Sequence, residues 1–173
     1  MNVREAVVGD ARAIAEVHLA SWKTTYPGLI PQEYIDGLRV EHGEARWTAW
    51  LQPGNAQVFV AEDADGIFGF SAGGAPLHPV EGFDGELSAI YLLATHQGQG
   101  AGRALVRRVA ETLREQGVQS LLVWALRENR ACGFYERLGG VRVADKMIEI
   151  GGVLLPEVAF GWRDLTVLCA AAE

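Results

Sequence analysis

The sequence predicts a mixed α/β protein with one central, mostly antiparallel sheet of roughly six to seven strands, flanked by helices on both sides. Three observations predict it. Helix-periodic segments dominate the first fifty or so residues. Two strand-like runs joined by the short turn "ADG" follow, which is a hairpin pattern. The second half then alternates strand and helix patterns in the order β-α-β-α-β. No repeat, low-complexity tract or linker interrupts the 173 residues, so residues 1–173 are expected to form one domain.

The elements follow in order. Residues 2–8 alternate weakly and predict a first strand, with Asp10 as the N-cap of a helix carrying Ile14, Val17, His18 and Trp22 at helical spacing. "TTYPGLIP" ends that helix through Pro27, Gly28 and Pro31. Short helices are expected over Gln32 to Gly37 and from about Glu41 to Leu51, the second closed by Pro53-Gly54. "AQVFVAED" and "IFGFSAGGAP" form the hairpin, and a loop runs from Pro76 to Gly85. "ELSAIYLLA", Glu86 to Ala94, is the clearest strand. After a glycine-rich turn, Leu105, Val106, Val109, Ala110 and Leu113 mark the apolar stripe of a helix ending near Gln116. "QSLLVWAL" reads as a buried strand. Ala131, Phe134, Tyr135 and Leu138 then recur at i, i+3, i+4 and i+7, and Gly139-Gly140 terminates that helix. Val141 to Leu168 reads as two strands joined near Gly151-Gly152, and "EVAFGW" suits either pairing across a homodimer or completion of one subunit's sheet.

Composition narrows the function. Apolar residues make up 49% of the chain, enough for a core, yet no run approaches the roughly 20 residues of a membrane helix. The charged start "MNVREAVVGD" lacks a signal-peptide core, so a soluble cytoplasmic protein is expected. Cys132 and Cys169 suggest no disulfide framework, and His18, His42, His78 and His96 are scattered, so no metal site is expected. A net charge of −7 makes nucleic acid and anionic lipid poor partners.

The stretch "THQGQGAGRAL" places Gly98, Gly100 and Gly102 between a strand and a helix start. The first amides of a helix lack internal partners and its dipole favours an anion, so bare glycines there let phosphate oxygens approach. The Walker pattern is absent. In the Rossmann pattern the third glycine would come one residue later, and no acidic residue marks a ribose contact. Gln97-Gly98-Gln99-Gly100-Ala101-Gly102, led by Leu92, instead fits Q/R-x-x-G-x-G/A.

That pattern resembles the pyrophosphate loop of the GNAT superfamily, the acyl-CoA-dependent N-acetyltransferases. "VREAVVGDARAIAEVHLASW" is similar to the superfamily's first strand and helix, "ELSAIYLLATHQGQGAGRALVRRV" to its central motif, and "VWALRENRACGFYERLGG" to its second motif. Gly140 departs from the pattern, which often carries an aromatic there. "SWKTTYPGLIP" resembles a bacterial branch with mostly unassigned substrates.

The resemblance implies the GNAT fold, acetyl-CoA as cosubstrate without a metal, and direct attack by a primary amine of a small molecule or peptide. It implies that the strand ending at Leu92 parts from the strand of Leu122 to Ala125, with pantetheine bonding the backbone of Ile90, Tyr91 and Leu92. The backbone from Gln97 through Gly98, Gln99, Gly100, Ala101 and Gly102 to Arg103 is expected to hold the pyrophosphate. Arg103 suits either a phosphate contact or a solvated helix face. Tyr135 matches the acid that protonates the leaving sulfur, and it also sits on an apolar stripe. Asn129 matches a pantetheine contact and fits an N-cap equally. Glu86 is the base candidate, with a salt-bridged strand-end glutamate as the alternative. Glu86, Ser88, Ile90 and Leu92 are expected on one strand face. Trp22, Tyr26 and Trp124 suit an aromatic wall for an amine or a plain core. His78, Glu81 and Asp84 are expected at the pocket rim. Cys132 reads as a packing residue. A non-catalytic acyl-CoA sensor is the alternative function, and a Rossmann-type nucleotide binder the second.

Overall fold

A computed structural model of the chain describes residues 1–170. Along the chain run β1 (Asn2–Glu5), α1 (Ala11–Thr25), α2 (Gln32–Gly37), α3 (Val40–Trp50), β2 (Gln57–Asp63), β3 (Gly66–Gly74) and β4 (Gly85–Leu92). After these come α4 (Ala101–Glu115), β5 (Leu121–Leu126), α5 (Ala131–Arg137), β6 (Val141–Ile150), β7 (Val153–Trp162) and α6 (Thr166–Cys169). The strands form one seven-stranded sheet in the order β1-β2-β3-β4-β5-β7-β6. Every pairing is antiparallel except β4 with β5.

Strand alternation sorts side chains to two faces. Phe59 and Ala61 of β2 join Leu105, Val109 and Leu113 of α4 on one face. Val58 and Val60 join Ile14 and Val17 of α1 and Trp47 of α3 on the other. A smaller cluster of Tyr26, Ile30, Ile35 and Leu126 fills the space beneath the α1–α2 loop. Gly73 lets α4 press onto the sheet, because a Cβ there would lie 2.5 Å from Val109 Cγ1.

Two features of β4 shape everything beside it. Gly73 pairs with Leu87 and Ala72 with Ala89, so Ser88 has no partner opposite and forms a bulge. The bulge breaks the expected alternation. Leu87, Ile90 and Leu92 face the α4 core, while Ala89 and Tyr91 face α1. Glu86 pairs with Leu122 and lies on the face opposite Leu87, so it does not share a face with Ile90 and Leu92 as the simple period predicts. Secondly, β4 pairs with β5 only at Gly85–Leu121 and Glu86–Leu122. Beyond Glu86 the two strands part.

Most predicted elements stand within a residue or two of their expected bounds. The first strand is shorter, because Val8–Asp10 forms a 3-10 turn. Asp10 sits at the N-cap of α1, yet its carboxylate bonds Arg4 and the Val7 amide instead of α1. The Arg4 guanidinium holds the Asp10 carboxyl below the usual carboxylate range. The tail is strand only to Trp162, after which Asp164 accepts from the Thr166 amide and starts α6. Glu157–Trp162 lies between β5 and β6 and so completes the subunit's own sheet.

Gly140 also finds its explanation. Trp162 lies over it so closely that a Cβ would sit 2.8 Å from Trp162 Cζ2. The indole, 3% exposed, fills the space an aromatic at 140 would take, and its Nε1 donates to Leu138 O at 2.9 Å. Trp162→Ala leaves a cavity under α5 and a carbonyl without its donor. We expect it to cost about 3–5 kcal/mol in urea denaturation. A loss below about 1 kcal/mol would show that Trp162 does not support α5.

Candidate active site

Where β4 and β5 part, a cleft of about 960 Å³ opens, reaching from the glycine loop to the α1–α2 loop. Ile90, Tyr91 and Leu92 line one wall, Val123 and Trp124 the other, and α5 forms the floor with Phe134 and Tyr135. The edge of β4 from Ser88 to Leu92 has no β5 partner to satisfy its backbone. Leu92 is partly engaged already, because its carbonyl accepts from Ser21 Oγ and Gln97 Nε2, each at 3.2 Å.

At one end lies the glycine loop. Gly98 and Gly100 adopt φ of 74° and 87°, and a Cβ on either would meet no protein atom within 4 Å. Among the described residues no backbone amide from Gly98 through Arg103 has a hydrogen-bond acceptor. These donors converge at the start of α4, where the helix dipole adds positive potential. Gly102 serves differently, since a Cβ there would lie 3.2 Å from Phe134 Cζ, close enough that the ring would have to give way by a few tenths of an ångström. Of the predicted loop residues, Gln97 lines the cleft through a side chain that ties loop to strand. Gln99 turns its side chain back to Thr95 O, and the Ala101 methyl is buried, so only their backbones suit a ligand. Arg103 lines the cleft from α4.

Tyr135 projects from α5 into the cleft floor, 4% exposed, and its hydroxyl has no hydrogen-bond partner among the described residues. Burial pushes its phenol well above the usual value. The ring packs with Phe160 and Trp162, as the apolar stripe expects, while the residue also lines the cleft. Asn129 is also double-sided. Its Oδ1 accepts from the amide of Ala131, the first residue of α5, at 2.9 Å, although Arg130 holds the N-cap position, while Asn129 lines the cleft with its Nδ2 unpartnered among the described residues. Cys132 donates to Leu126 O and is half-buried, as a packing residue would be.

Glu86 differs from its sequence-based picture. It is 3% exposed, is not part of the cleft wall, and makes no salt bridge among the described residues. Its Oε2 accepts from the amides of Leu77 and His78 at 2.8 and 2.9 Å, leaving Oε1 free. His78 O in turn accepts from Trp124 Nε1 at 3.2 Å, so Glu86 and Trp124 together pin the β3–β4 loop. Asp84 does not rim the pocket, because it binds Ser120 and the amides of Gln119 and Ser120. Burial opposes its ionisation, but those hydrogen bonds outweigh it and hold the carboxyl below the usual range. His78 and Glu81 also lie off the cleft wall.

At the far end, Tyr26 lines the cleft and its hydroxyl meets that of Tyr91 at 3.5 Å. Burial raises both phenols above their ordinary value. Trp22 is not on the wall: it packs edge-on behind Tyr26, 4.7 Å between ring centres. Trp124 lines the cleft, but Lys146 Nζ lies 4.3 Å from its ring centre, so one face already carries a cation. His18, expected at helical spacing with Ile14, Val17 and Trp22, packs its ring among Trp22, Trp47, Phe70 and Tyr91. Burial, then the charge of Arg46, lowers its pKa to about 3, so it is a neutral packing group. Sequence reading missed Ser21, Thr24, Thr25, Arg130 and Arg137 on the wall. Their polarity marks solvent faces in the sequence, and only the fold brings them to one opening. Among the described residues no cluster of His, Cys, Asp or Glu has the form of a metal site, and no helix is long and apolar enough to cross a membrane.

A sheet parted beside a glycine-rich helix start, with a tyrosine in the gap, is the arrangement that the resemblance to the acyl-CoA N-acetyltransferases implies. A family model described as FR47-like protein matches residues 79–148, which span β4, the loop, α4, β5 and α5. The chain is 44% identical over 169 residues to the uncharacterized N-acetyltransferase YuaI of Bacillus subtilis, covering 97% of this chain and 96% of that one. The solved ribosomal-protein-alanine N-acetyltransferase of Brucella melitensis superposes with a TM-score of 0.73 at 23% identity, covering 94% and 99% of the two chains. YncA of Salmonella typhimurium, solved with its cofactor acetyl-CoA, gives 0.70 at 20% identity and covers 100% and 96%. The chain belongs to the GNAT superfamily and is an acetyltransferase.

Proposed function

We propose that the protein moves an acetyl group from acetyl-CoA to a primary amine of a small molecule or peptide, by direct attack in a ternary complex. One juxtaposition carries this reading: the unpartnered amides from Gly98 to Arg103 and the free Tyr135 hydroxyl stand on one continuous cleft. The amides receive the pyrophosphate. The open edge of β4 receives pantetheine through Ile90 and Tyr91, with Asn129 Nδ2 as a further donor. The thioester then lies in the gap, with its sulfur at Tyr135. The acceptor enters past Thr24, Thr25 and Tyr26, while Trp22 supports Tyr26 from behind. Cys132 and Cys169 are free thiols, as in a reducing compartment, and we place the protein in the cytoplasm.

The amine lone pair attacks the thioester carbonyl carbon and the C–S bond breaks. The expelled thiolate takes the Tyr135 proton, and the amine proton leaves through water toward Glu86 Oε1, the oxygen not held by the loop amides. Burial keeps Tyr135 protonated, which is the state an acid must start from. The same burial raises the basicity of the expelled thiolate, which offsets the phenol's own rise in proton affinity. This favours an enzyme over an acyl-CoA sensor, because a sensor has no use for a free hydroxyl at the sulfur.

Tyr135→Phe should lower kcat about a hundredfold while CoA affinity changes less than about twofold. An acid is lost as pH rises through its pKa. Since that pKa is raised, wild-type kcat should show no falling limb below about pH 10. Thiol release with an amine panel measures both, and an unchanged kcat in the variant removes Tyr135 from the mechanism. Glu86→Gln keeps an acceptor for the Leu77 and His78 amides. Its rate deficit should shrink as pH rises and the amine deprotonates unaided. A deficit constant with pH would assign Glu86 to holding the loop alone.

A further inference from the structure

We propose that Arg130, Gly133 and Arg137 form a second anion site on α5, separate from the glycine loop, which binds the 3′-phosphate of the CoA donor. The proposal rests on CoA being that donor. Positions 130, 133 and 137 follow the i, i+3, i+7 spacing that places residues on one face of a helix. Long helical side chains lean toward the N-terminus, and Arg137 does so: its Nη1 lies 3.4 Å from where a Cβ on Gly133 would be. The guanidinium therefore lies over the bare glycine, on the side of Arg130.

Charge supports the reading. Arg130 and Arg137 both line the cleft, and neither makes an ion pair or a hydrogen bond to another side chain among the described residues. Elsewhere Arg4, Arg12, Arg107, Arg108, Arg127 and Arg142 are bound to carboxylates, whereas Arg39, Arg46, Arg114 and Arg163, which make no ion pair among the described residues, lie away from the cleft wall. Two exposed, unpaired guanidinium groups on one opening of a chain of net charge −7 leave strong hydrogen-bond donors without an anion. Across the opening stands Arg103 of α4, also unpaired among the described residues. Arg103 and Arg137 further line an adjoining cavity of about 280 Å³, closed on its far side by Val167 and Leu168 of α6. A ligand whose pyrophosphate lies on the Gly98–Arg103 amides thus reaches a second cationic surface at the mouth of the same cleft. CoA carries one more phosphate than its 3′-dephospho form, and guanidinium groups suit a phosphate monoester through paired N–H donors.

The test is calorimetric binding of CoA and of 3′-dephospho-CoA to the wild type, R130Q, R137Q and R130Q/R137Q, with melting curves to confirm folding. Wild type should bind CoA about tenfold or more tightly than 3′-dephospho-CoA. In R130Q/R137Q the CoA affinity should fall to that of 3′-dephospho-CoA, while affinity for the dephospho form stays unchanged. Equal wild-type affinity for the two ligands overturns the proposal. An equal loss for both ligands in the double variant also overturns it, because the arginines then act on the fold or the pyrophosphate. If neither ligand binds the wild type, the CoA reading itself fails, and that outcome is distinct from a loss of discrimination.

Discussion

The separation of β4 from β5 is the constraint on which the rest depends. Two parallel strands normally continue a ladder, because an unpaired edge leaves buried backbone groups without partners. Here the ladder stops after Gly85–Leu121 and Glu86–Leu122. The bulge at Ser88 twists β4 just beyond that point, where bulges commonly re-aim a strand beside a site. α5 then fills the bottom of the gap with Phe134 and Tyr135, and the top stays open. A strand-like ligand with amide groups is the natural occupant of such an edge. Pantetheine has that form.

The surroundings hold the gap open. Trp162 supports α5 through Gly140 and Leu138. Gly102 allows α4 and α5 to approach, which brings the loop amides to the same opening as Tyr135. Glu86 and Trp124 fix the β3–β4 loop from two sides. Ser21 and Gln97 both bind Leu92 O, tying α1 and the loop to the end of β4. An acidic protein thus presents backbone donors and unpaired arginines at one end of its cleft, and aromatic hydroxyls at the other.

Much of this was legible in the sequence, and the reasons are local. Helix and strand periods and the Gly and Pro turns mark nearly every element, as α2 and the β6–β7 hairpin illustrate. The loop was legible because its glycines answer to backbone geometry: Gly98 and Gly100 have positive φ. What escaped depends on pairing between distant segments. No residue type marks Ser88 as unpaired, so the period of two misplaced Glu86 relative to Ile90. Trp22 and Tyr26 are four residues apart, and only the path of the α1–α2 loop puts Tyr26 in front. Cation–π use of Trp124 was reasonable from sequence, yet Lys146 arrives from β6 to cover the ring. Nothing in the sequence singles out Arg130 and Arg137, and only the placement of α5 brings them to the cleft.

Amide hydrogen exchange with and without CoA tests the central claim most directly, since it reads the backbone that the parted strands and the loop leave without partners. Binding should slow exchange at Gly98 through Arg103 and along Ile90 to Leu92, with little change in α3 or at the β6–β7 turn. Unchanged exchange in the loop and β4 at saturating CoA, or protection confined to other segments, would contradict the account.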